Sequence, residues 1–151
     1  MVMRLKKDSS EQKLRGAYYT PQQLADAMVN FFASQNVSTV LEPSCGDGVF
    51  LDSLRNLGLL DRLHKLTAVE IEPEEAQKVR SRYAGFAQIK VYTEDFFDHY
   101  NRVLGKETYD LILGNPPYIR YQYLKESQRE MQSEILTSHG MKANKLINAW
   151  V

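Results

Sequence analysis

The chain has 151 residues, no net formal charge and a pI near 6.8, with 43% hydrophobic and 25% charged residues. That suits one domain with a real core. It excludes a bilayer-spanning apolar run and a secretory h-region behind the basic Met1–Lys7, and the single Cys45 excludes an internal disulfide or a cysteine-built metal site. The cytoplasm is therefore the expected compartment. Zero net charge also lacks the basic excess with which a free-standing nucleic-acid binder neutralises phosphates. If nucleic acid is the substrate, much of the grip on it is expected outside this chain.

Residues 1 to 15 are polar and charged and read as a mobile leader, with the domain following over 16–151. Thr20-Pro21-Gln22-Gln23 predicts a helix start, with Thr20 as cap, Pro21 in the first helical position and Gln23 completing a capping box. Leu24, Met28, Phe31 and Phe32 then recur at helical spacing as an apolar face. Val37 to Glu42 predicts a short buried strand, Ser44 to Gly48 a tight turn, and Val49, Phe50, Leu54 and Leu57 the apolar face of a helix ended by Gly58. Leu66–Glu70 is the second strand, and Pro73 opens a helix to about Tyr83. Ile89–Tyr92 is the third strand. Tyr109–Leu113 is the fourth, its apolar character fitting a strand covered on both faces. Alternating strands and helices imply an α/β fold with a parallel sheet and right-handed crossovers. Residues from about Tyr123 to Leu136 read as a polar, solvent-facing helix. Trp150-Val151 looks like the middle of an element, so a sheet truncated after about the fourth strand is expected.

In an open α/β sheet, ligands bind beyond the carboxyl ends of the strands. The unusual residues of this chain all fall there. After the first strand come Glu42, Pro43, Ser44, Cys45, Gly46 and Gly48; Glu70 and Ile71 end the second; Asp95-Phe96 follow the third; Asn115-Pro116-Pro117-Tyr118 follow the fourth. Gly46 and Gly48 let backbone approach a ligand, and the next helix N-terminus offers N–H groups. No Lys-Ser/Thr follows, so this is not a phosphate-cradling loop. A small carboxylate such as the methionine end of S-adenosylmethionine suits it. Glu70 stands where an acid commonly accepts from ribose hydroxyls. Asp95-Phe96 pairs an acceptor with a flat apolar face, which suits an adenine.

Asn115-Pro116-Pro117-Tyr118 is the most specific feature. Consecutive prolines stiffen the backbone and remove two N–H donors. An amide oxygen plus a backbone carbonyl can accept both hydrogens of a planar amino group while its lone pair turns toward an electrophilic methyl. Tyr118 offers a stacking face. His64, His99 and His139 lie far apart without ligand spacing; they read as surface histidines, and no metal is expected. Cys45 reads as a small loop residue rather than a nucleophile. Tyr118, Tyr121 and Tyr123 with Arg120 and Lys125 suit either nucleic-acid contact or the wet edge of a helix.

Together these motifs resemble the gamma-type DNA adenine-N6 methyltransferases. Gly16-Ala17-Tyr18-Tyr19-Thr20-Pro21 is similar to their upstream cofactor segment and Leu41–Gly48 to their first motif. Ala68–Pro73 resembles the second, Glu94–Phe97 the third, and Asn115–Tyr118 the catalytic fourth. The likeness covers about residues 15–120 and is nearest to the adenine methyltransferase module of restriction-modification enzymes. It implies a class I S-adenosylmethionine-dependent, Rossmann-like fold. It implies cofactor contacts from Tyr18, Thr20, Glu42, Pro43, Ser44, Cys45, Gly46, Glu70, Ile71, Asp95, Phe96 and Pro117. It further implies that Asn115 and Pro116 hold the target amine of a flipped adenine, that Pro117 borders the cofactor and that Tyr118 stacks on the base. Double-stranded DNA would be the partner, held through a recognition domain beyond Val151, with no membrane. Two other readings stay open. A protein-glutamine or RNA-base N-methyltransferase needs the same acceptors, and a non-catalytic fragment could bind cofactor or partners only.

Overall fold

The computed structural model describes residues 19–103, 105–117, 119 and 124–142. The leader, Tyr18, Tyr118, residues 120–123 and the last nine residues lie outside these. Two compact units divide the chain: Tyr19–Asn115, and Met1–Tyr18 together with Pro116–Val151.

The first unit contains α1 (Gln22–Phe31), β1 (Thr39–Glu42), α2 (Val49–Asn56), β2 (Lys65–Glu70), α3 (Pro73–Arg82), β3 (Ile89–Thr93), α4 (Phe96–Val103) and β4 (Leu111–Ile112). The four strands form one parallel sheet in the order β3-β2-β1-β4. The register sets Leu41 beside Thr67 and Ile112, and Glu70 beside Thr93. The chain steps outward from β1 through β2 to β3, then returns to the far side of β1. The switch point of the sheet therefore lies between β1 and β4, and the carboxyl ends of strands at such a point are where open α/β sheets bind ligands.

The core forms where β1 and β2 are covered on both faces. Val40, Leu66, Ala68 and Val69 are buried with Phe50, Leu51 and Leu54 of α2 and Val79 of α3. Such two-sided burial explains why β2 reads as a nearly continuous apolar run. Gly58, at φ +67°, closes α2: its N–H donates to the Arg55 carbonyl and Leu59 N–H to that of Leu54.

Three expectations change. First, Thr20 does not cap α1. Pro21 is the cap residue and no side chain caps this end. The Pro21 carbonyl accepts from Leu24 and Ala25 instead. Second, the inward face of α1 is rotated from the one its large residues suggest. Ala25 and Val29 are buried with Met28 packed beside them, whereas Leu24 is 53% and Phe31 73% exposed. Small Ala25 suits close approach, and Gln22 Nε2 donates to Ser53 Oγ of α2 at 2.8 Å, which sets the rotation. Third, β4 is not covered on both faces, since Ile112 is 66% exposed, and among the described residues the strand pairs with β1 alone. The β4 ladder extends through Asp110 N–H to the Thr39 carbonyl and Leu113 N–H to that of Leu41. The Asp110 carboxylate ties the strand down by accepting from Ser38 N–H, Thr39 N–H and Thr39 Oγ1.

In the second unit, α5 spans Glu126–Ser138, with Gln128 Oε1 accepting from Lys125 N–H at its start. It is less solvent-facing than expected, since Gln132 and Leu136, one turn apart, are both buried. Among the described residues, no helix is long and apolar enough to cross a membrane.

Gly48 gives a sharp test of the β1–α2 turn. It has φ +86°, and a Cβ there would lie 3.0 Å from Val79 Cγ2. Left-handed backbone and the close approach both penalise a side chain. Gly48→Ala should cost on the order of 1–3 kcal/mol, read as a fall in the urea midpoint.

Candidate functional site

The turn after β1 is built by a short set of main-chain bonds. Cys45 N–H donates to the Val69 carbonyl at 2.9 Å, which seats the turn on the end of β2, and Gly48 N–H donates to the Cys45 carbonyl at 2.8 Å. Gly46 and Gly48 both take positive φ. Arg82, from α3, braces the turn from outside by donating to the Asp47 carbonyl at 3.0 Å and to Asp52 at 2.7 Å.

Glu70 is the second pillar. It is buried, and its two carboxylate oxygens accept from two different stretches of backbone. Oε2 takes Gly46 N–H at 2.7 Å and Oε1 takes Glu72 N–H at 2.8 Å. Ile71, between them, is exposed.

Glu42 ends β1 and is 2% exposed. Burial pushes its carboxyl well above the usual carboxylate range, and the nearby Asp47, Glu70 and Asp52 charges push it further. Pro43 beside it is buried, and Ser44 Oγ is buried with no hydrogen-bond partner in the structure. Cys45 is buried too. Burial, with Glu42 and Glu70 nearby, raises its thiol far above the range in which a thiolate forms.

Beyond β3, Glu94 N–H donates to the Glu70 carbonyl at 3.1 Å, bringing the Asp95-Phe96 step beside the end of β2. Asp95 Oδ1 accepts from Phe97 N–H at 2.8 Å and starts α4. The Phe96 ring lies 6.3 Å from His99 and 6.5 Å from Tyr100.

Beyond β4, Gly114 passes close to Pro43. A Cβ on Gly114 would meet Pro43 Cδ at 3.3 Å and Glu42 Cγ at 4.0 Å. Asn115 follows, half-buried, and its Nδ2 donates to Thr20 Oγ1 at 3.1 Å. The first unit therefore brings Thr20, Glu42–Gly46, Glu70, Asp95, Phe96 and Asn115 to the carboxyl ends of its strands. Pro116 and Pro117 open the second unit, where the Pro117 carbonyl accepts from Ile119 N–H at 2.9 Å. The sites expected at Tyr18 and Tyr118 lie outside the described residues.

Sequence reasoning missed several participants. The Tyr19 ring, half exposed, stands over the turn, with its Cε1 3.7 Å from where a Gly46 Cβ would be. The pair Tyr18-Tyr19 marks the segment, but nothing in the pattern tells which ring faces the turn. Arg82 lies 35 residues beyond Asp47 and carries no motif. His99 is a correction, because it is 1% exposed rather than a surface residue. Its Nδ1 lies 2.7 Å from Glu94 Oε1, and Arg102 also reaches that carboxylate. Burial would raise the Glu94 carboxyl, yet these two partners hold it below its ordinary value. The inward face of α4 needs an apolar body with one polar bond, and an imidazole tethered to Glu94 supplies it.

Glu42 permits a test that needs no ligand. An acid whose pKa is raised by folding keeps native stability below its unfolded pKa of about 4.3 and loses it as pH climbs toward the folded value. Glu42→Gln should remove that loss. Urea midpoints of wild type and variant should nearly coincide at pH 4, and the variant should be the more stable at pH 8.

Comparison with known proteins fits this geometry. The Eco57I restriction-modification methylase family matches residues 50–148. The type II methyltransferase M.HincII of Haemophilus influenzae is 32% identical over 82% of this chain and 21% of its own length. M.BanIII of Aneurinibacillus aneurinilyticus is 31% identical over 86% of this chain and 26% of its own. The chain thus spans about a fifth to a quarter of the curated relatives it matches. Among solved structures, the type I restriction-modification methyltransferase subunit of Streptococcus thermophilus superposes with a TM-score of 0.66 at 20% identity, over 86% of this chain and 29% of its own. One assigned as a class I S-adenosylmethionine-dependent methyltransferase, from Listeria monocytogenes, does so at 0.60 and 13%, over 79% of this chain and 36% of its own. These likenesses show the class I methyltransferase fold. By the family match over residues 50–148, the chain belongs to the Eco57I restriction-modification methylases.

Proposed function

We propose that residues 16–151 form part of an S-adenosylmethionine-dependent DNA methyltransferase that modifies the N6 amine of adenine within a restriction-modification system. The observation that carries this reading is the placement of Asn115. It follows β4 at the switch point, next in sequence to the Gly114 that packs against Pro43, and is bonded to Thr20.

The donor set fits the cofactor. Glu42 is an acid whose carboxyl is pushed up first by burial and then by the acids around it, and a ligand ammonium would favour its charged form. Ser44 Oγ is a buried polar atom whose missing partner a methionine carboxylate or ammonium would provide. Glu70, already organised by two N–H donors, retains lone pairs for ribose hydroxyls. Asp95 and Phe96 would receive the cofactor adenine, with Ile71 and Pro117 bordering it. Tyr18, Pro43, Cys45 and Gly46 complete the proposed lining.

S-adenosylmethionine supplies a methyl carbon made electrophilic by its sulfonium. Asn115 Oδ1 and the Pro116 carbonyl would each accept one hydrogen of the target amine, and Tyr118 would stack on the extruded base. As the nitrogen turns from planar to tetrahedral, those acceptors stabilise the positive charge growing on its hydrogens. The proton then leaves to water, so no strong base is required. With no net charge, the chain contributes little counterion release. We propose that residues outside it supply most of the hold on double-stranded DNA.

The test is methyl transfer from labelled S-adenosylmethionine to DNA, RNA and protein in parallel, with nucleoside analysis of the product. N6-methyladenine in DNA supports the proposal. Label confined to RNA or to protein glutamine overturns the substrate, and absence of saturable cofactor binding overturns the whole reading.

A further inference from the structure

The proposed chemistry needs one end of the Asn115 amide, and the residues around it in sequence cannot choose that end. A carboxamide has an acceptor oxygen and a donor nitrogen of similar size, exchanged by a half-turn of its terminal torsion. With the nitrogen toward the target amine, donor would face donor and the acceptor pair would be lost. The backbone before it is already constrained, because Gly114 packs against Pro43, where an added Cβ would lie a tight 3.3 Å from Cδ. The side-chain torsion is what remains to be fixed.

Thr20, 95 residues away in sequence, contacts that side chain. Its Oγ1 accepts from Asn115 Nδ2 at 3.1 Å. The nitrogen therefore faces Thr20, and Oδ1 points away from it. Thr20 is itself anchored. Pro21 follows and stiffens the chain, the Pro21 carbonyl starts α1, and α1 is pinned to α2 through Gln22 and Ser53. Thr20 stands one residue before the Pro21 cap position, so its hydroxyl is not engaged at the start of α1.

Resting on the functional reading above, we propose that Thr20 is a positioning residue for methyl transfer: its hydroxyl holds the Asn115 amide with the oxygen presented as the acceptor for the target amine. The resemblance also implies a cofactor contact for Thr20, and the hydroxyl can accept from Asn115 while donating elsewhere; the positioning role is read in the rate of transfer at saturating cofactor.

The experiment uses the full-length protein with DNA substrate and compares wild type, Thr20→Val and Thr20→Ser. Single-turnover rates are taken at saturating S-adenosylmethionine, with cofactor affinity measured separately. Thr20→Val keeps the shape but loses the hydroxyl, and the rate should fall about tenfold, the equivalent of one orienting hydrogen bond. Cofactor affinity is measured so that its change is kept apart from the change in rate at saturation. Thr20→Ser should restore most of the rate. In an Asn115→Ala background the valine substitution should have no further effect, since the amide it orients is gone. An undiminished rate in Thr20→Val, or a loss confined to cofactor affinity, overturns the assignment. So does the same fall in the Asn115→Ala background. A wild type that transfers no methyl to DNA overturns the functional reading and this inference together, whereas an active wild type with an equally fast valine variant overturns this inference alone.

Discussion

Asn115→Ala should lower methyl transfer about 10³-fold while leaving the dissociation constant for S-adenosylmethionine within about threefold. The magnitude comes from what the side chain is asked to do. A preorganised polar group aimed at charge that develops only in the transition state is worth about 10²–10³ in rate, and it contributes little to the ground state. Asn115 is also half-buried and bonded to Thr20, so removing it deletes an acceptor whose orientation is prearranged. Its bond to Thr20 touches neither Glu42 nor Glu70, which is why cofactor affinity should survive. Equilibrium titration and single-turnover kinetics on the same preparation separate the two quantities. Retained turnover with lost affinity would contradict this division of roles.

Glu70→Ala should have the opposite signature, raising the cofactor dissociation constant about 30- to 100-fold with a smaller effect on the rate at saturation. Two losses add. The ribose acceptors go, and the turn itself loosens, because Gly46 N–H and Glu72 N–H lose the carboxylate that each donates to at under 3 Å. Glu70→Gln sharpens the argument. An amide of the same shape offers its oxygen to one of the two N–H groups and its NH₂ to the other, where donor meets donor. Glutamine should therefore recover only part of the affinity. Full recovery would mean that the charge and the second acceptor are dispensable, and would leave Glu70 with a shape role only.

Much of this was legible in the linear chain, for reasons that differ by element. β2 and β3 stand within a residue of their predicted spans, because Leu66, Ala68 and Val69 are apolar around the β-branched Thr67, and Ile89–Tyr92 follows Gln88 with Val91 and Tyr92 of high strand propensity. The α3 start is marked by Pro73 behind Glu72. The rim could be anticipated because unusual residues at four strand ends must meet on one side of a parallel sheet. The features that could not be read depend on partners distant in sequence. The rotation of α1 is set by Ala25 and by Ser53, and large residues such as Leu24 and Phe31 mislead because size is not burial. Thr20 has the identity and spacing of a cap, and only the return of Asn115 reveals its other use. Glu42 looks like any strand-end acid until burial by its surroundings is known. His99 belongs to the same class: a lone histidine on a polar helix conceals a ring at 1% exposure.

The close passage of Gly114 against Pro43 carries an evolutionary consequence. Together with the Asn115–Thr20 bond, it sets the backbone and the amide of Asn115 using residues drawn wholly from Tyr19–Asn115. These contacts join the start of α1, the turn after β1 and the end of β4, three segments far apart in the chain. Positions 20, 43, 114 and 115 are coupled by contact, so a change at one calls for a matching change at another, and these four should vary in concert across relatives.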